Sequence, residues 1–207
     1  MKRLLAAAAV VGIVLGCSEI TTPSRTPRYL SDVGTGVFHW PANRLPVRYY
    51  ATPQGTMTTL VRNGLSAWER AFLYGEFNGV LVADSNDADV IVVWQDSVPP
   101  DVAPDTAGAL GACGGVTTIV VDSTNVITEP IHVEISVTAG RTVAQVAACV
   151  RRVAAHELGH TLGIFTHSPA TGDLMYGTPA VQAPTARDRA TVEVLYHSTP
   201  TISPPPR

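Results

Sequence analysis

Residues 156–167 read His-Glu-Leu-Gly-His-Thr-Leu-Gly-Ile-Phe-Thr-His and hold three of the 6 histidines in the chain. The residues leading into this stretch carry Val143, Val146, Val150, Val153 and Ala154 at helical spacing, an apolar stripe that has to be buried. Leu158 and Leu162 continue the apolar character through the motif itself. Imidazoles and a carboxylate therefore ride on a helix, residues 142–162, that lies largely inside the molecule. Buried ionisable groups need partners, and a cation supplies one. Any fold open to this chain must bury that helix and still leave its histidines a place to converge.

Residues four apart on a helix share a face, so His156 and His160 present two imidazoles side by side. Glu157 sits about 100° further round the helix, beside a bound metal without ligating it. This is the HExxH arrangement, in which the metal activates a water and the glutamate takes its proton. With 6 histidines and 7 glutamates in the chain, the pattern arises by chance in well under ~1% of such sequences. A catalytic zinc needs a third protein ligand and an open position. Gly163 ends the helix and lets the chain turn back, which makes His167 the leading candidate. Asp173 and Glu193 are the rivals, the latter giving a gluzincin-like ligand set.

"HELGHTLGIFTH" followed by "DLMY" resembles the metzincin clan of zinc peptidases, and within it the matrixin-like (matrix metalloproteinase-type) catalytic domain. In that pattern His156 and His160 match the helical ligands, Glu157 the base, Gly163 the turn glycine and Met175 the methionine of the Met-turn. The family places its third histidine where this chain has Thr166, one residue before His167. The resemblance implies an α+β, zincin-like fold: a twisted mixed sheet, a long active-site helix, the Met-turn and a C-terminal helix. It also implies one catalytic Zn2+ and an extended peptide bound along a strand edge, placed around residues 110–115. "DSNDAD", residues 84–89, is a lesser candidate for Ca2+, although it lacks the EF-hand spacing. No cysteine-switch propeptide is recognisable.

The remaining elements follow from periodicity. Residues 37–40 and 45–50 alternate as strands, with Pro41 and Pro46 between them. Residues 56–74 read as a helix, with Val61, Leu65, Trp68 and Phe72 on its buried face. Residues 90–94 suit a central strand, and residues 117–121 and 131–137 give two more. "TARD", from Thr185, looks like a capping box that opens a last helix, with Asp188 in its third position. His39, His132 and His197 have no metal-like spacing and read as ordinary surface or core residues.

The N-terminus reads as a targeting segment. Lys2 and Arg3 precede an apolar run over residues 4–16 that is short for a membrane span but suits a signal peptide. It ends in "VLGC", which resembles a bacterial lipobox with Cys17 as the lipidated residue. Ser18 resembles lipoproteins not retained at an inner membrane. The expected organisation is a signal at 1–16, a Thr-, Pro- and Ser-rich tether at 17–35, one catalytic domain at 36–199 and a disordered tail at 200–207. The protein is then exported and lipid-anchored to the cell envelope, at the outer membrane or cell surface, with secretion as the alternative. Cys113 and Cys149 remain as an even pair, which in an exported protein suggests a disulfide. Such a bond stabilises by roughly 3 kcal/mol in the chain-entropy model.

Only 15% of residues are charged and the net charge is -3, so nucleic acid is excluded as a partner on electrostatic grounds. The membrane is reached through the N-terminal lipid alone. The expected function is a monomeric zinc endopeptidase acting on a protein or peptide. The alternatives are a non-catalytic zinc-bearing envelope binding protein and a zinc hydrolase of another substrate, such as cell-wall peptide.

Overall fold

The computed structural model describes residues 36–53, 55–95, 113–137 and 143–205. They form a mixed α+β structure with a five-stranded sheet and three helices. The strands are β1 (Val47–Ala51), β2 (Gly79–Val82), β3 (Val90–Gln95), β4 (Cys113–Thr118) and β5 (Ile131–Val137). The helices are α1 (Met57–Glu69), α2 (Val143–Thr161) and α3 (Ala186–Tyr196). The sheet order is β2-β1-β3-β5-β4. Every pairing is parallel except β4 with β5, so β4 is an antiparallel edge strand. The continuous apolar run of β3 lies in the centre, as a strand covered on both faces requires. In β5, Ile131, Val133 and Ile135 are buried and His132 and Glu134 are half-buried, the alternation of a pleated strand.

Helices α1 and α2 pack against each other and on the sheet. Their approach is close because glycines sit where they cross. A Cβ on Gly64 would lie 2.6 Å from Leu158 Cδ1, and one on Gly159 would lie 2.6 Å from Trp68 Cζ2 and inside the Met175 sulfur. Trp68 is fully buried, and its indole N–H donates to the Ala155 carbonyl at 2.7 Å. The indole thereby fixes the depth and rotation of α2. Further along, Trp40 Nε1 donates to the Thr161 carbonyl at 2.9 Å, and the Tyr49 hydroxyl meets Thr161 Oγ1 at 2.9 Å. The last turn of α2 is thus held from β1 and from the N-terminal segment.

Several sequence expectations shift. Residues 37–40 alternate because Phe38 and Trp40 point into the core, but they join no strand of the sheet. The strand expected at 117–121 is β4 and starts four residues earlier, at Cys113; Cys-Gly-Gly has too little side chain to announce a strand. β2, only four residues long, carried no signal. Helix α1 ends at Glu69, short of the expected Tyr74. The tail expected to be disordered is hydrogen-bonded into the domain. The Thr201 and Ile202 N–H groups donate to the Val37 carbonyl, the Ser203 N–H donates to the Asn125 carbonyl and Ile127 N–H donates back to Ser203. Ile202 anchors it by burial, and Arg44 donates to the Pro205 carbonyl.

Cys113 and Cys149 form the expected disulfide, which joins the start of β4 to α2. Residues 1–35, Cys17 among them, lie outside the described residues. No described helix is long and apolar enough to cross a membrane. Because α1 and α2 meet through glycine, Gly159→Ala should lower stability by about 1–3 kcal/mol through overpacking against Trp68 and Met175. Thermal unfolding followed by circular dichroism reads this directly.

Candidate metal centre

The one-turn spacing on α2 brings the His156 and His160 rings to 4.8 Å between centroids. What fixes their orientation is the Nδ1 side of each ring. His156 Nδ1 donates to the Leu174 carbonyl at 2.7 Å and His160 Nδ1 donates to the Ile164 carbonyl at 2.5 Å. A carbonyl only accepts, so each neutral ring carries its single proton on Nδ1 and a lone pair on Nε2. The two Nε2 atoms face each other at 3.1 Å. Two lone pairs so close repel unless a proton or cation lies between them. About 3.3 Å is the spacing of two nitrogens bound to one tetrahedral zinc.

The third imidazole arrives by a turn. Gly163 has φ +99, a conformation that a side chain disfavours, and a Cβ there would collide with the Phe38 carbonyl. Its N–H donates to the His160 carbonyl at 3.0 Å and the Ile164 N–H to the Gly159 carbonyl at 3.4 Å, closing the helix end. The chain then folds back and sets His167 with its ring 5.1 Å from His156 and 5.2 Å from His160. One ligand atom from each of His156, His160 and His167 lies within 4.8 Å of the others. Three nitrogen donors, two of them with their outer N–H groups engaged and the third on a ring exposed to solvent, suit a metal ion with a position left open. Among the described residues no other group of histidine, cysteine or acidic side chains is so placed.

The rivals have other work. Asp173 accepts from Ser168 Oγ at 2.5 Å and from Thr185 Oγ1 at 2.8 Å, and pairs with Arg187 at 2.9 Å. Glu193 is buried on α3 and stands outside the histidine group. In the 84–89 segment, Asp84 caps a short turn through the Asn86 N–H, and Asp89 pairs with Arg44 and Arg48. Those carboxylates are held by protein groups, and a calcium reading finds no support in them. The His39 ring nitrogens lie against the Ser198 and Trp40 carbonyls, which can only accept, and His197 pairs with Glu76 at 3.5 Å.

Below the histidines, residues 173–176 form a turn fixed by a single carboxylate. Asp188 accepts from the Leu174 N–H at 2.9 Å, the Met175 N–H at 3.2 Å and the Thr185 N–H at 2.8 Å. Thr185 and Asp188 also form the expected capping box of α3. The same residue therefore starts the last helix and positions the carbonyl that orients His156. Met175 is fully buried, with its sulfur against Gly159, the residue just before His160.

Glu157 is 4% exposed and faces β4. Thr117 Oγ1 donates to Glu157 Oε2 at 2.7 Å, and Gly115 leaves room for its side chain: a Cβ there would lie 2.5 Å from Oε1. Burial pushes the Glu157 carboxyl up, against the opposing pull of His156 and the Thr117 hydrogen bond. Burial likewise lowers His156 and His160 to about 4, and lowers His167. The histidines are thus neutral, ready donors near pH 7. The sequence presents Gly115 only as the end of the expected substrate edge and Thr117 only as a strand residue; their contact with Glu157 is missed there because neither belongs to a motif. A cleft of about 740 Å³ opens over Gly115, Thr117, Glu157, His160 and His167.

No protein-family model matches the chain, and no curated protein sequence does. Fold and site together define a small α+β protein with a three-histidine cluster that can hold a metal ion.

His167→Ala should weaken zinc binding by more than about 100-fold, while Asp173→Asn and Glu193→Gln retain it; competition with a chromophoric chelator measures this. Stability of the metal-free protein should fall as pH drops from about 6.5 to 4. In that window unfolded imidazoles take up protons that the folded ones, with depressed pKa, refuse. Glu157, with its raised pKa, works in the opposite sense, so the three histidines set the direction. Melting temperatures of metal-free protein across that range provide the check.

Proposed function

We propose that the chain is a zinc-dependent endopeptidase of the metzincin type, matrixin-like in its catalytic domain, with His156, His160 and His167 as ligands. The observation that carries this reading is the pair of Nε2 lone pairs meeting at 3.1 Å beside a buried carboxylate that opens on a cleft. A purely structural metal site has no use for Glu157. The mixed sheet with its antiparallel edge strand, the glycine turn, the buried Met175 and the C-terminal helix all support the resemblance.

Bound zinc supplies Lewis acidity, making water acidic enough to lose a proton near neutral pH and polarising the scissile carbonyl. Glu157 receives that proton on a carboxylate oxygen and delivers it to the nitrogen of the leaving amine. Its raised affinity for a proton, caused by burial, suits both halves of the transfer. Thr117 Oγ1, donating to Oε2, fixes the carboxylate plane and leaves the other oxygen for the proton. An extended peptide lies along the outer edge of β4, taking up the backbone groups that an edge strand leaves unpaired. Cys113–Gly115 of the expected edge belongs to β4, whereas residues 110–112 lie outside the described structure.

The proposed setting is the cell envelope, with Cys17 lipidated after removal of residues 1–16. The Cys113–Cys149 disulfide supports export, because such bonds persist in oxidising compartments. Glu157→Gln should keep zinc at wild-type stoichiometry and cut peptide hydrolysis by about 10²–10⁴-fold. Metal analysis paired with a fluorogenic peptide assay tests both halves. Undiminished hydrolysis would remove Glu157 from the mechanism, and absence of hydrolysis in the zinc-loaded wild type would leave a non-catalytic zinc protein.

A further inference from the structure

Beyond Glu69 the chain makes a tight knuckle, Phe72-Leu73-Tyr74-Gly75-Glu76-Phe77, before it enters β2. The two phenylalanines turn inward. Phe72 and Phe77 are buried with ring centroids 5.7 Å apart, and Phe72 meets the Tyr196 ring edge-on at 4.7 Å. Between these anchors the middle of the knuckle is left outside. Leu73 is 58% and Tyr74 70% exposed, the highest values among the large apolar side chains described. The shape is fixed, because Gly75 adopts φ +69 and the Tyr74 N–H donates to Glu76 Oε2 at 2.9 Å. Charge around the knuckle is one-sided. Arg62 on α1 and Arg70 at its C-terminal cap are exposed, and among the described residues neither forms an ion pair. Glu69, the one acidic residue of α1, accepts from the Gly79 N–H at 3.0 Å, and Glu76 faces His197. Asp84 and Asp87 are exposed but follow the far end of β2. In a chain of net charge -3, the surface beside Leu73 and Tyr74 is cationic.

We propose that this face docks on an anionic lipid surface, with Leu73 and Tyr74 in the headgroup layer and Arg62 and Arg70 against lipid phosphates. Leucine brings apolar area, and tyrosine suits the boundary because its ring is apolar and its hydroxyl stays wet. The arginines gain from a negative surface that lies within a Debye length of them. The knuckle also lies where the chain enters the domain, since the His39 ring packs on the same Tyr196 at 5.0 Å. Gly36 comes nineteen residues after Cys17, a length of chain that reaches at most about 65 Å. A lipid on Cys17 thus keeps the domain near the bilayer without orienting it, and the knuckle supplies the orientation. Through Glu69 this face borders β2, the edge of the sheet opposite β4. Four strand spacings, about 19 Å, separate the two edges. Docking here leaves the β4 edge and the histidine cleft on the far side of the sheet. The inference goes beyond the peptidase reading and shares with it only the proposed anchor.

The mature chain in unlipidated form, residues 17–207 with Cys17→Ser, keeps every residue of the described fold. It is titrated with phosphatidylcholine vesicles, with and without about 30% phosphatidylglycerol. Binding to the anionic vesicles should be stronger by about tenfold or more. Leu73→Ser with Tyr74→Ser should weaken it about tenfold, and Arg62→Gln with Arg70→Gln should bring the two vesicle types within about threefold. Circular dichroism identifies the variants that remain folded. The full-length chain, held at the bilayer by its own N-terminus, gives the local readout. Emission added by Tyr74→Trp should be quenched by brominated phospholipid, whereas emission added by Val120→Trp, beyond β4, should not. Binding unchanged in the folded variants, or equal quenching at the two positions, overturns the proposal. So does a dimer that Leu73→Ser with Tyr74→Ser abolishes in protein that binds no vesicles, a result that gives the face to a second copy. No arm measures hydrolysis, so failure here leaves the peptidase reading standing.

Discussion

The structure turns on two imidazoles that cannot be left to themselves. Each gives its only proton to a backbone carbonyl, and the lone pairs that remain meet at 3.1 Å on a buried helix. Without a cation the arrangement is repulsive, and a bound metal ion would turn it into a tie between α2 and the loop that carries His167. Much of the chain downstream exists to hold that geometry. The turn at Gly163 brings the Ile164 carbonyl to His160 and then His167 to the cluster. The turn around Met175 brings the Leu174 carbonyl to His156. Asp188 reaches back from α3 to hold the second turn.

Legibility in the sequence followed the local character of each constraint. The helix of residues 143–161, its stop at Gly163, the three histidines and the capping box at Thr185 were readable because each is set by neighbours in sequence. The one-residue delay of His167 did not matter, since the residues after Gly163 form a loop that can take up the difference. β4 was read late for a reason tied to the site. Gly115, which weakens the strand signal, is the residue whose missing side chain admits Glu157. The hydrogen bond from Thr117 to Glu157 spans forty residues and could not be seen until β4 was placed against α2. The tail misled because proline-rich composition says what a segment lacks, whereas Ile202 and the Val37 carbonyl decide where it goes.

The edge strand is the part of the sheet with the most demands on it. Its first residue is bonded through Cys113 to Cys149 on α2, and its middle accommodates and orients Glu157. Among the described residues its outer side has no strand partner, since β5 occupies only the inner one. The disulfide thus fixes strand and helix together at the point where a small displacement would move the carboxylate relative to the histidines. Among the described strands β4 pairs with β5 alone, so a covalent tie has more to add here than at the central β3.

Asp188 has a further consequence for how the protein comes into being. A chain made from its N-terminus forward exposes the helix of His156 and His160 well before residue 188 exists. Until that carboxylate arrives, the Leu174 carbonyl has no fixed place and His156 can rotate. Residues 201–203 come later still, and they close onto Val37 near the opposite end of the chain. A nascent or truncated polypeptide therefore carries the motif without the assembled centre. The geometry that orients His156 thus depends on a residue more than thirty positions downstream of the motif's first histidine.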